Sequence, residues 1–143
     1  MERANDTLLL LGRLLLAILF LPSGVSKVLE FQTFADRPNL QALPFGGTAW
    51  AAAAVAIEVL VPIALILGFA PRLSALLLIG FVIAATATTH RYWEFAEPAR
   101  RAQEINFFKN IGILAGLCFY MVSGPGAWSV SGRGARARMQ AAE

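Results

Sequence analysis

The sequence predicts an all-α integral membrane protein folded as an antiparallel, up-and-down four-helix bundle. Three observations carry this expectation. Of 143 residues, 57% are hydrophobic and only 15% charged, and the mean hydropathy is +0.62, too apolar for a soluble domain of this size. Four apolar runs of roughly 18 to 22 residues can each cross a hydrocarbon core about 30 Å thick, at about 1.5 Å per residue. None alternates as a barrel strand would, so the backbone must bond within helices. Residues 1–143 read as a single membrane domain.

The first span, about 8–29, places Arg13, Ala17, Phe20, Gly24 and Lys27 on one helical stripe, with Ser23 and Ser26 flanking its far end. Pro22 removes the helical donor of the Ile18 carbonyl. A cleaved signal peptide is the rival reading of Leu8 to Leu21, but Glu2, Asp6 and Arg13 favour a retained anchor. The second span, about 49–70, carries Glu58 near its middle, and Pro62 takes away the donor of the Glu58 carbonyl. An ionised side chain at the bilayer centre costs about 2.5–3.5 kcal/mol, so Glu58 needs a partner or a proton and should face the bundle interior; pairing with Arg13 or Lys27 merely to fix helix packing is the alternative to a functional role. Ala51 and Ala54, on the same side, permit a close neighbour.

The third span, about 73–90, follows after little more than Pro71 and Arg72, which makes it an antiparallel neighbour of the second. It ends with Thr86, Thr89 and His90 on one face, and the fourth span, about 105–123, begins with Asn106, Lys109 and Asn110 at the same spacing. Gly112 and Gly116 form a small-xxx-small pair suited to tight packing, within this chain or between chains. Cys118 is the only cysteine, which excludes an intramolecular disulfide and a Cys-x-x-Cys redox pair and suggests a small buried hydrophobe. Gly124-Pro125-Gly126 stops the last helix, and a basic tail over about 132–143, with Arg133, Arg136 and Arg138, is expected to be mobile.

The two longer connections, Glu30 to Thr48 and Arg91 to Glu104, fall on the same side of the membrane. Trp50, Trp93 and Trp128 fall near span ends, as interfacial anchors do. With an even number of spans both termini share a side. Arg3, Arg72, Arg133, Arg136 and Arg138 outweigh Arg37, Arg91, Arg100 and Arg101, which five acidic residues dilute, so the positive-inside rule puts the termini in the cytoplasm of a multi-pass cell-membrane protein. The basic residues are scattered, with no patch interleaved with aromatics, which argues against nucleic acid as a partner.

Helical rise places Glu58 about 3 Å and Asn110 about 7 Å from the midplane toward the long loops, with Ser23 and Thr86 close by and His90 and Lys27 at about 12–14 Å. Arg13 stands apart, about 7 Å below the midplane. The polar side chains thus converge in one half of the membrane, as a pocket opening toward the long loops. Haem in a bundle is commonly held by paired histidines, and His90 is the only one, so neither haem nor a metal centre is expected. A quinone needs an apolar slot near the surface with donors for its carbonyl oxygens, a role open to His90, Arg91, Lys27, Asn110 and Trp93.

In order along the chain stand Gly12-Arg13 through Ser23-Gly24-x-x-Lys27, Ile57-Glu58, Leu67-Gly68 with Arg72, His90-Arg91-Tyr92-Trp93, Asn106-Phe107-Phe108-Lys109-Asn110 and Gly124-Pro125-Gly126-x-Trp128-Ser129. This series, from about Leu8 to Ser131, resembles the DoxX family of small four-span membrane proteins. Two positions depart from the family pattern: Pro62 stands where glycine is common and Ser131 where an acidic residue is common. The resemblance implies a membrane subunit or anchor of an oxidoreductase system that interacts with quinone. Some family members resemble the membrane subunit of a thiosulfate to quinone oxidoreductase, and others are linked to complexes protecting against oxidative stress.

On that reading Glu58 and His90 handle protons, while Lys27, Asn110, Arg91 and Trp93 contact the bound molecule and Arg13 is a structural counter-charge. A soluble redox partner would dock beside the long loops. Two alternatives remain open: a transporter of small solutes or protons acting as a homo-oligomer, since four helices are few for alternating access, and a scaffold or assembly factor without chemistry of its own.

Overall fold

The structure, a computed structural model, describes residues 2–132; the tail expected beyond Gly132 lies outside the described residues. Four long helices form the molecule: α1 (Glu2–Leu29), α4 (Gly47–Leu67), α5 (Pro71–Thr89) and α6 (Ala99–Ser123). Two short helices, α2 (Phe31–Ala35) and α3 (Pro38–Gln41), occupy the first long connection, and a 3-10 turn at Tyr92–Glu94 begins the second. All four long helices, the third extended through that turn to Glu94, are long and apolar enough to cross a membrane.

Hydrophobicity located the spans, but it stops where charge begins, whereas the helices do not. α6 starts at Ala99 behind Pro98, and its Ala-Arg-Arg-Ala-Gln-Glu opening continues the rod above the apolar run expected from 105. Arg101 and Glu104 pair at 3.0 Å along that exposed turn. At its other boundary α4 ends earlier than 70. Gly68 adopts the left-handed conformation (φ 64°), its N–H bonds the Leu65 carbonyl, and the Phe69 N–H bonds the Ala64 carbonyl. Pro71 then opens α5 at a position where no N–H is needed.

α1 packs on α4, α4 on α5 and α5 on α6, while α1 and α6 scarcely touch. The main core is Phe20, Leu65, Leu78, Leu117 and Tyr120. A smaller one, Phe34 and Ala35 against Ala51, seats α2 and α3 on the start of α4. The outer surface is apolar, with Ile18, Phe119 and Val122 exposed at 62%, 76% and 87%, while Arg13, Glu58 and Asn110 are nearly sealed inside at 1%, 3% and 7%. That inversion suits hydrocarbon as solvent. Cys118, expected to be buried, lies on the outer face of α6.

α1 comes close against α4 at Gly24, where even a methyl group would lie 2.9 Å from the Glu58 carbonyl oxygen and 2.9 Å from Val59 Cγ2. Pro62 has stripped that carbonyl of its helical donor. The small pair on α6 behaves differently. A methyl at Gly116 would meet Leu16 at an ordinary 3.5 Å and one at Gly112 would meet nothing within 4 Å, so the pair clamps no helix inside this chain.

Gly24→Ala should therefore force α1 and α4 apart and destabilise the protein by about 1–3 kcal/mol. Gly112→Ala should leave stability unchanged or raise it by up to about 1 kcal/mol through helix propensity. Reversible unfolding in mixed micelles compares the two; equal losses would contradict the close α1–α4 approach.

Candidate functional site

The register of α1 brings Ser23 and Lys27, one turn apart, onto the face that meets Glu58 of α4. The Lys27 ammonium forms an ion pair with Glu58 Oε2 and donates to Ser23 Oγ at 3.1 Å, and Ser23 Oγ donates to Glu58 Oε1 at 3.0 Å. Both carboxylate oxygens thus have a donor, which a charge almost fully removed from water requires. The ammonium also lies over the rings of Phe34 and Phe81, 5.1 and 5.8 Å from their centroids.

Facing this group, α5 and α6 are tied by a second set of polar contacts. Asn110 Nδ2 donates to Thr86 Oγ1 at 2.8 Å, and that hydroxyl donates to the Val82 carbonyl at 2.6 Å. Nearer the loops, His90 Nδ1 stands 2.7 Å from Gln103 Oε1. Between the two sets lies a cavity of about 750 Å³ reaching from Glu58 to Arg37 and Asn39 on the loop side. Phe20, Phe34, Phe81 and Ile57 form apolar walls. A volume of this size suits a small amphipathic ligand.

Lys27, Glu58, His90 and Asn110, one from each long helix or its end, all line this cavity. Arg91 and Trp93 do not. Arg91 pairs with Glu94 at 2.9 Å on the surface, and Trp93, 57% exposed, packs edge-on against Tyr92 and Phe107 at 5.2 and 5.9 Å. Arg13 lies toward the opposite end of the bundle and bonds main-chain oxygens: Nη1 donates to Ile66 at 2.8 Å and Nη2 to Trp128 at 2.7 Å. Lys27 alone is the counter-charge of Glu58 among the described residues. Among those residues, no group of three His, Cys, Asp or Glu side chains is placed to hold a metal.

The DoxX family model matches residues 8–91, more than half of the chain. The chain belongs to the DoxX family. Two inner membrane proteins of Escherichia coli K12 are similar to it: YphA, 31% identical over 130 residues covering 91% of this chain and 92% of YphA, and YqjF, 27% identical over 141 residues covering 91% and 94%. No solved structure matches. With four spanning helices and these relatives, this DoxX protein is a multi-pass membrane protein.

Two residues of this DoxX site escaped the sequence reading. Gln103 carries a signal, since it precedes Asn110 by two helical turns and shares its face, but hydropathy places it in the connection 91–104, whereas α6 already begins at Ala99. Arg37 had none. It lines the cavity only because α2 and α3 fold back over α4, where its guanidinium stacks 5.2 Å from the Phe34 centroid.

The pair at the centre predicts a specific pattern. Lys27→Met leaves Glu58 buried without its counter-charge and should destabilise by about 3 kcal/mol or more. Lys27→Met combined with Glu58→Leu should recover most of that loss. A thermodynamic double-mutant cycle in micelles measures the coupling, and additive losses would show that the pair is not coupled.

Proposed function

We propose that this protein is the membrane-embedded subunit of an oxidoreductase system and that its cavity seats the aromatic head of a quinone-class molecule. The observation carrying this reading is the joint lining of one aromatic-walled cavity by Lys27, Glu58, His90 and Asn110. Apolar walls accommodate a ring and its alkyl tail, while the few polar groups fix the head. His90, half-buried at the loop end, is the group suited to exchange protons with the aqueous side, and Glu58 holds the deep charge balance.

The cavity extends to the α2–α3 loop, so a soluble redox partner would approach on that side, where Arg91 and Trp93 are exposed. The excess of arginine over acid on the opposite side supports cytoplasmic termini.

Calorimetric titration of the protein in lipid nanodiscs with a short-tailed quinone and its reduced form, using empty discs as blank, tests the proposal. Saturable binding is expected, weakened about ten-fold or more by Ala54→Trp, which fills the cavity beside Glu58, and unaffected by Trp128→Phe at the far end. Indistinguishable heats for filled and empty discs would end the quinone-class reading.

A further inference from the structure

One flank of the cavity beside Glu58 is walled by exposed residues at membrane depth. Gly80 is the middle residue of α5, about 13 Å of helix from either end, so what meets it is hydrocarbon rather than water. Gly80, Ala84 and, on α4, Ala53 are exposed, and all three line the same cavity as the buried Glu58 and Asn110. A methyl group built on Gly80 would meet nothing within 4 Å.

The contacts of each helix locate this wall. Thr86 bonds Asn110 and so marks the side of α5 that faces α6, while Gly80 and Ala84 stand about 120–160° round the helix from it. Glu58 bonds Lys27 and marks the side of α4 that faces α1, and Ala53 stands about 140° round from it. Because α4 and α5 are packed neighbours, these outlying flanks border the seam between them. The short connection over 68–70 holds the two helices together at the far end. Toward the loops the small residues Ala53, Ala54, Gly80 and Ala84 leave the seam unfilled, and the cavity opens through it.

We infer that the α4–α5 seam is a tail subsite: the molecule whose head lies beside Glu58 enters from the bilayer, and its alkyl or isoprenoid tail runs out between Ala53 and Ala84 into the acyl chains. This rests on the quinone-class reading and adds that the ligand is a membrane-dissolved, single-tailed amphiphile. A phospholipid chain suits the seam less well. Its head is held in the headgroup layer, so it would lay methyl groups against the Lys27–Glu58 pair and bring no polar atom to it. Lipid is as apolar as the seam, so the tail gains little affinity by moving from one to the other, and the role of the seam is to let the tail out.

Two measurements test it. A helical side chain leans toward the N-terminus of its helix, so Ala84→Phe covers Gly80 and closes the seam, whereas Ile83→Phe enlarges an exposed position outside the cavity lining. The probes are tetramethylbenzoquinone and its decyl-trimethyl analogue, whose fully substituted rings do not add thiols. In nanodiscs, with concentrations expressed per lipid, Ala84→Phe should weaken the decyl compound about ten-fold or more and leave the tailless one within about two-fold, and Ile83→Phe should change neither. In the ligand-free protein, a nitroxide attached through Ala54→Cys in a Cys118→Ser background reports collisions with oxygen dissolved in the hydrocarbon. Ala84→Phe should lower their frequency and Ile83→Phe should not.

Equal losses for the two quinones overturn the tail subsite while leaving the ring-binding reading standing. A decyl compound indifferent to Ala84→Phe does the same and leaves the seam to lipid chains. Oxygen access at position 54 that is unchanged by Ala84→Phe overturns the opening itself, whatever binds. If neither quinone binds the unsubstituted protein, both readings fall.

Discussion

A carboxylate halfway through a membrane-spanning helix sets the terms for this bundle. Glu58 must find cations and donors among the helices, because hydrocarbon supplies neither. Lys27 and Ser23 lie on one stripe of α1, and only one rotation of that helix presents both. Fixing the rotation also brings Gly24 against the Glu58 carbonyl, at a distance that excludes any side chain. One buried charge thereby sets the register of α1 on α4. It also keeps a polar group beside the aromatic walls of the cavity.

The other end of the bundle solves the reverse problem. Arg13 is a buried cation, yet its bonded partners are the Ile66 carbonyl at the end of α4 and the Trp128 carbonyl in the segment after α6. The Ile66 carbonyl belongs to the last turn of α4, where carbonyls lack intrahelical donors, so the guanidinium satisfies a main-chain acceptor while its charge sits near the negative dipole end of that helix. Asp6 accepts from the Ala127 N–H at 2.7 Å, which binds the same segment to the start of α1, and Ser129 donates to the Gly126 carbonyl at 2.6 Å within that segment. Gly12-Arg13, Leu67-Gly68 and Gly124-Pro125-Gly126-x-Trp128-Ser129, remote in sequence, thus form one structural knot. Of the remaining family motifs, Ser23, Lys27, Glu58, His90, Lys109 and Asn110 line the cavity.

This division explains which features were legible before the fold was known. Spans follow from hydropathy, and the stripe through Ser23, Gly24 and Lys27 from helical spacing, so the pairing with Glu58 could be narrowed to two cations. Choosing between Arg13 and Lys27 needed depth as well as face, and the helical-rise heights already placed Lys27 on the same side of the midplane as Glu58. Carbonyl partners are invisible in a sequence, since every residue has one, and the actual role of Arg13 was therefore hidden. Arg91 and Trp93 illustrate another blind spot: adjacency to His90 suggested a shared site, but the 3-10 turn at Tyr92–Glu94 carries both out to the surface.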